Sequence, residues 1–127
     1  MAGFPEPTPV AGDVMLAECR ARAVLALLAE KWVLLAIEAL SEGPKRTSAL
    51  RRQIGGISEK MLIQTLRRLE SVGLVDRRDY REVPPKVEYA LTERGWSLSP
   101  VVIMLDRWVE KHAFDMLPTP IGSTSQS

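Results

Sequence analysis

Cysteine and histidine are almost missing from this sequence: Cys19 and His112 are the only ones in 127 residues. A single thiol closes no internal disulfide and builds no cysteine zinc site, so a reducing, cytoplasmic setting is the expectation. One imidazole and one thiol leave little room for nucleophile–base pairs or metal sets, and no glycine-rich phosphate loop is present. No catalytic residue, no metal and no cofactor is therefore expected. Long apolar runs are missing too. None approaches the ~20 residues needed to cross a bilayer, which argues against a membrane partner. The opening MAGFPEPTPVAGD has neither a basic start nor a sustained apolar stretch and does not read as a signal peptide.

Overall charge of one sign is also lacking, since the net charge is only +1. Its distribution is uneven. Between Pro44 and Lys86 stand eleven basic residues and five acids, a net of +6 that leaves −5 for the remainder. A charge run alone is usually a solvated face. A basic middle third flanked by acidic segments instead points to a polyanion partner.

What is present is mostly helical patterning. The ends, 1–12 and 114–127, are rich in proline or in polar, turn-forming residues and read as flexible tails around one domain at 13–113. Asp13 is placed to cap a helix reaching about Ala29. A second helix, about Trp32–Leu40, is apolar almost all round and should be the most buried element. Gly43-Pro44 stops it. A short helix over about Ser48–Ile54 ends at Gly55-Gly56. Ser58 caps the next, about Glu59–Val72, which Gly73 terminates. Two strand-like runs, Leu74–Tyr80 and Lys86–Thr92, flank Arg81–Pro85. Thr92 and Glu93 cap a last helix to about His112, with Pro100 expected to kink it or split off its first turn. The class is mainly α with a small β-hairpin wing (α+β). A short helix, a turn, a second helix and then a basic hairpin is the layout of a winged helix-turn-helix.

The segments EGPKRTSALRRQI, GISEKMLIQTLRRLESVGLVDRR and above all EVPPKVEYALTERG, with Cys19 and the Lys31-Trp32 pair, resemble the HxlR-type winged-helix regulators of bacteria. The resemblance covers about 19–112. It departs from the common pattern at Arg20, Glu30, Thr47, Thr65 and Trp96. It implies a homodimeric transcription factor, often a repressor, on pseudo-palindromic double-stranded DNA. In some members the cysteine near the first helix senses oxidants or electrophiles.

Within that frame, Leu62, Leu66 and Leu69 form one stripe of the fourth helix. Lys60, Gln64, Arg67, Arg68 and Ser71 fall on the opposite arc. Glutamine suits adenine, and lysine or arginine suits guanine, so Lys60, Gln64 and Arg68 are the expected base readers. Ser58, Met61 and Thr65 lie nearer the core edge, and Ser58 and Thr65 are retained as DNA contacts. Arg46, Thr47, Ser48, Arg51 and Arg52 suit phosphates from the supporting helix. Arg77, Arg78, Arg81 and Lys86 do so from the wing. Two readings of Cys19 stand side by side: a small apolar residue packed in the first helix, or a sensor whose pKa Arg20 and Arg22 lower. The effector would then be an oxidant or a small molecule. Trp32, Trp96 and Trp108 are read as core or interface packing.

Three function classes compete for such a chain: a sequence-specific DNA-binding regulator, a winged helix used only for protein interaction, and an enzyme. An interaction module tends to lose cations from its second helix-turn-helix helix and wing, and this chain keeps them. The apolar runs Val14–Ala17 and Val101–Val109 cover more than one helix face. They predict a homodimer joined through the N- and C-terminal helices.

Overall fold

The computed structural model describes residues 12–119. Its elements are α1 (Arg20–Leu28), α2 (Lys31–Leu40), α3 (Thr47–Gln53), α4 (Glu59–Ser71), β1 (Val75–Asp79), β2 (Val87–Leu91) and α5 (Glu93–Met116). The chain divides at Glu30 into two compact units. Of the expected tails, all but Gly12 and 114–119 lies outside the described residues, and α5 continues to Met116.

In the first unit, Asp13 does not open a helix. Its Oδ1 accepts from the Met15 N–H at 3.0 Å and its carbonyl from Leu16 N–H at 3.1 Å. An aspartate that satisfies the next amides itself favours a turn over a helix. Cys19, in extended conformation, is the residue from which α1 starts.

The second unit is built around α2. Val33, Ala36, Ile37, Ala39 and Leu40 are buried, and the helix meets α3, α4, β2 and α5. From α4 it receives Leu62, Leu66 and Leu69, all fully buried. Burial of each leucine side chain stabilises by roughly 1.5–3 kcal/mol. β1 and β2 pair antiparallel, Val75 opposite Leu91 and Asp79 opposite Val87. Lys45 adds a short third rung: its N–H donates to Tyr89 O at 2.9 Å and its carbonyl accepts from Tyr89 N–H at 2.8 Å. Sequence patterning gave no sign of that rung, because a single bridged residue has no period.

The junction between α4, the wing root and α5 turns on two residues. Thr92 donates its hydroxyl to Gly73 O at 2.6 Å and accepts from Gly95 N–H at 3.1 Å, which ties the end of α4 to the start of α5. Gly95 sits so close to the Leu74 carbonyl that a Cβ would lie 2.3 Å from its oxygen. Pro100 neither ends α5 nor splits off its first turn, and the helix is continuous over 24 residues.

Candidate nucleic-acid interface

Ser58 starts α4 by accepting the Met61 N–H at 3.1 Å, the bond expected of a helix-capping serine. With the leucine stripe locked into the core, helical geometry directs the opposite arc away from the protein. Lys60, Gln64 and Arg67 are exposed and Arg68 is half-buried. They line one shallow groove together with Glu59 and Ile63. The last two extend the sequence reading. Glu59 places an acid at the rim of an otherwise basic groove, and Ile63 places an aliphatic side chain among polar ones. Their helical angle, about 60° (Ile63) and 100° (Glu59) from Lys60 on the same side, was the available signal.

Thr65 is a correction. It is 2% exposed, against the expectation that it meets DNA. The reason is angular: Thr65 stands about 40° from Leu69 on the helical wheel, directly beside the buried leucine stripe. Met61, on the next arc outward, is 37% exposed.

Thr47, Ser48, Arg51 and Arg52 of α3 share a second concavity with Glu59 and Leu62 of α4. Arg46, Ser48, Arg51 and Arg52 are exposed and Thr47 is half-buried. Lys45, one of the eleven cations, points elsewhere, hydrogen-bonding to Gln53 and pairing with Glu42.

In the wing, Arg77 and Arg78 are exposed on β1. Arg77 lies 3.9 Å from the Asp79 carboxylate, and Arg78 stands opposite Glu88 in the ladder. Arg81 occupies the turn at φ 53°, its N–H donating to Asp79 Oδ1 at 3.0 Å. That local aspartate bond helps a non-glycine residue hold the left-handed region. Lys86 is half-buried, with its ammonium 4.8 Å from the Tyr80 ring centre. A cation–π contact orients the charge without neutralising it.

Cys19 lies in the other unit, half-buried. Its sulfur accepts the Asp13 N–H at 3.2 Å. The backbone N–H groups of Asp13, Ala21 and Arg22 hold the thiol below its usual pKa, with Asp13 the largest cause. The cause is thus backbone amides rather than the guanidinium charges the sequence suggested. Among the described residues no group of three or more His, Cys, Asp or Glu side chains could hold a metal, and no helix is long and apolar enough to cross a membrane.

A helix-turn-helix whose second helix turns a basic, amide-bearing face outward, followed by a basic hairpin, defines a winged-helix DNA-binding protein. The chain belongs to the HxlR-like helix-turn-helix family, whose model matches residues 27–116. It is 43% identical over 106 residues to the HTH-type transcriptional regulator YtfH of Escherichia coli, covering 84% of each chain. Among solved structures it is similar to a transcriptional regulator ytfH from Salmonella typhimurium, with TM-score 0.77, 41% identity and coverage of 84% of this chain and 96% of that one. It is also similar to the redox regulator HypR in its oxidized form, with TM-score 0.68, 39% identity and coverage of 73% and 96%. This protein is a transcriptional regulator of the helix-turn-helix type.

Proposed function

We propose that the protein binds specific operator sequences as a homodimer, acts there as a repressor in the cytoplasm, and catalyses nothing. The observation that carries this reading is the division of α4. Leu62, Leu66 and Leu69 are fully buried, while Lys60, Gln64 and Arg67 are exposed on the opposite arc. Lys60, Gln64 and Arg68 read base edges, and Arg46, Thr47, Ser48, Arg51, Ser58, Arg67, Arg78, Arg81 and Lys86 hold phosphates.

The homodimer is supported by apolar surface without a partner. On α5, Val101, Met104, Leu105, Trp108 and Val109 are each 40–51% exposed, and Val24 and Leu25 of α1 are 45% and 51% exposed. Contiguous apolar surface on a helix is usually covered by another chain. Two-fold symmetry would set the paired α4 helices about 34 Å apart, one turn of B-DNA.

Selection of bound fragments from randomised and genomic duplexes tests the reading. Enrichment of a pseudo-palindrome, with a dimer by light scattering, supports it. Retention of DNA without sequence enrichment, or of none, would favour a protein-interaction module instead.

A second reading concerns Cys19. Its hydrogen-bonded, acidified thiol and the similarity to a redox regulator support oxidant or electrophile sensing by this residue. An oxidant such as diamide should then weaken operator binding, and Cys19→Ser should be indifferent to it.

A further inference from the structure

One residue on the groove side of α4 is chemically unlike its neighbours. Ile63 is half-buried and lines the groove with Glu59, Lys60, Gln64, Arg67 and Arg68, so an aliphatic side chain borders a surface made otherwise of charged and amide groups. It continues the row Glu59, Ile63, Arg67, at steps of about 40° on the helical wheel, beside the row Lys60, Gln64, Arg68. Leu62 and Leu66, its neighbours toward the core, are fully buried. Core packing therefore accounts for those leucines but not for the part of Ile63 left open to the groove.

The partner such a residue suits follows from chemistry. A phosphate gains nothing from an aliphatic side chain and is repelled by the neighbouring Glu59 carboxylate, so the N-terminal half of this row is unsuited to the DNA backbone. Base edges in the major groove offer hydrogen-bond donors and acceptors and one apolar group, the C5-methyl of thymine. We propose that Ile63 is a specificity-determining residue of α4 that recognises a thymine methyl by apolar contact, while Gln64 beside it takes an adenine through its amide. This role rests on the operator-binding reading and adds to it the one base-edge group that no polar side chain reads.

Position and magnitude follow from the same geometry. Ile63 and Gln64 are adjacent in the chain and about 100° apart on the wheel, so the methyl and the adenine belong to the same base pair or to neighbouring ones. An A·T pair presents adenine N6 and N7 and the thymine methyl on one groove edge, so a single pair suffices for both residues. Removing one buried methyl lowers affinity by roughly fourfold. A homodimer meets two half-sites, so loss of the methyl from both lowers it by roughly fifteenfold.

The test is competition binding of the full chain to a selected operator whose thymines are replaced one position at a time by deoxyuridine, which lacks only the C5-methyl. Wild type should lose roughly fourfold with one half-site changed and roughly fifteenfold with both, at a thymine within one base pair of the step that Gln64→Ala relaxes. Ile63→Ala should bind the thymine and uracil operators equally, and Ile63→Val, the smaller packing change, should fall between. Each protein is compared with itself on the two duplexes, so a loss of stability in a variant does not imitate the result. Met61→Ala, at a residue that does not line the groove, should keep the wild-type ratio. Wild type indifferent to uracil at that position, a full ratio kept by Ile63→Ala or Ile63→Val, or a ratio abolished by Met61→Ala would overturn the role of Ile63. A wild type with no sequence preference at all would overturn the operator-binding reading along with it, whereas a sequence-selective protein blind to the methyl would overturn the role of Ile63 alone.

Discussion

Replacing Gly95 with alanine perturbs the point where α5 leaves the wing root. The added Cβ would stand 2.3 Å from the Leu74 carbonyl oxygen, 3.0 Å from Leu91 Cδ2 and 3.1 Å from Leu91 Cβ. Carbon–oxygen contacts settle near ~3.3–3.6 Å, so about 1 Å must be recovered. The Leu91 side chain can turn aside. The Leu74 carbonyl cannot, because it accepts the Thr92 N–H at 3.1 Å in the same junction. Overpacking of this kind costs about 1–3 kcal/mol. Alanine's better helix propensity offsets up to ~1 kcal/mol of it. With the clash against backbone placing it at the upper end, the net loss is about 2 kcal/mol, or roughly 8–16 °C in Tm for a domain near 100 residues. Urea denaturation should show a lower midpoint at unchanged slope. Gly55→Ala is the internal control, since nothing lies within 4 Å of its would-be Cβ. It should stay within about 0.5 kcal/mol of wild type. Equal stability of Gly95→Ala and wild type would refute the close-approach argument.

The wing and core give further expectations. Arg81→Ala should weaken binding to all duplexes alike and lower the salt slope by about one unit, read from affinity against salt concentration. Leu66→Ala, at a fully buried position, should cost about 2–5 kcal/mol in chemical denaturation. Thr65→Val, also at a buried position, should leave operator preference unchanged in competition binding, because that side chain does not face the groove.

Most of the helices were legible because each is delimited by chemistry that acts locally. Ser58 caps α4 and Gly73, at φ 78°, closes it. Leu62, Leu66 and Leu69 repeat at helical spacing, so the outward arc followed from the buried one. The start of α1 was misplaced because Asp13 serves equally as a helix cap or as a turn-former, and only neighbouring geometry decides. Thr65 was misassigned because a polar residue beside a leucine stripe was credited to the groove, although its angle belongs to the core. The Lys45 rung arises between segments distant in sequence, where no local period signals it.

Sequence readout by the outward face of α4 is most directly tested with Gln64→Ala in competition between a selected operator and a scrambled duplex. The exposed amide at Gln64 should cost about 1–3 kcal/mol on the operator when removed, with preference relaxed at one base step in each half-site. Binding to the scrambled duplex should change little, because it rests on phosphates. Equal losses on both duplexes would contradict base readout by Gln64 and place the recognition of sequence elsewhere.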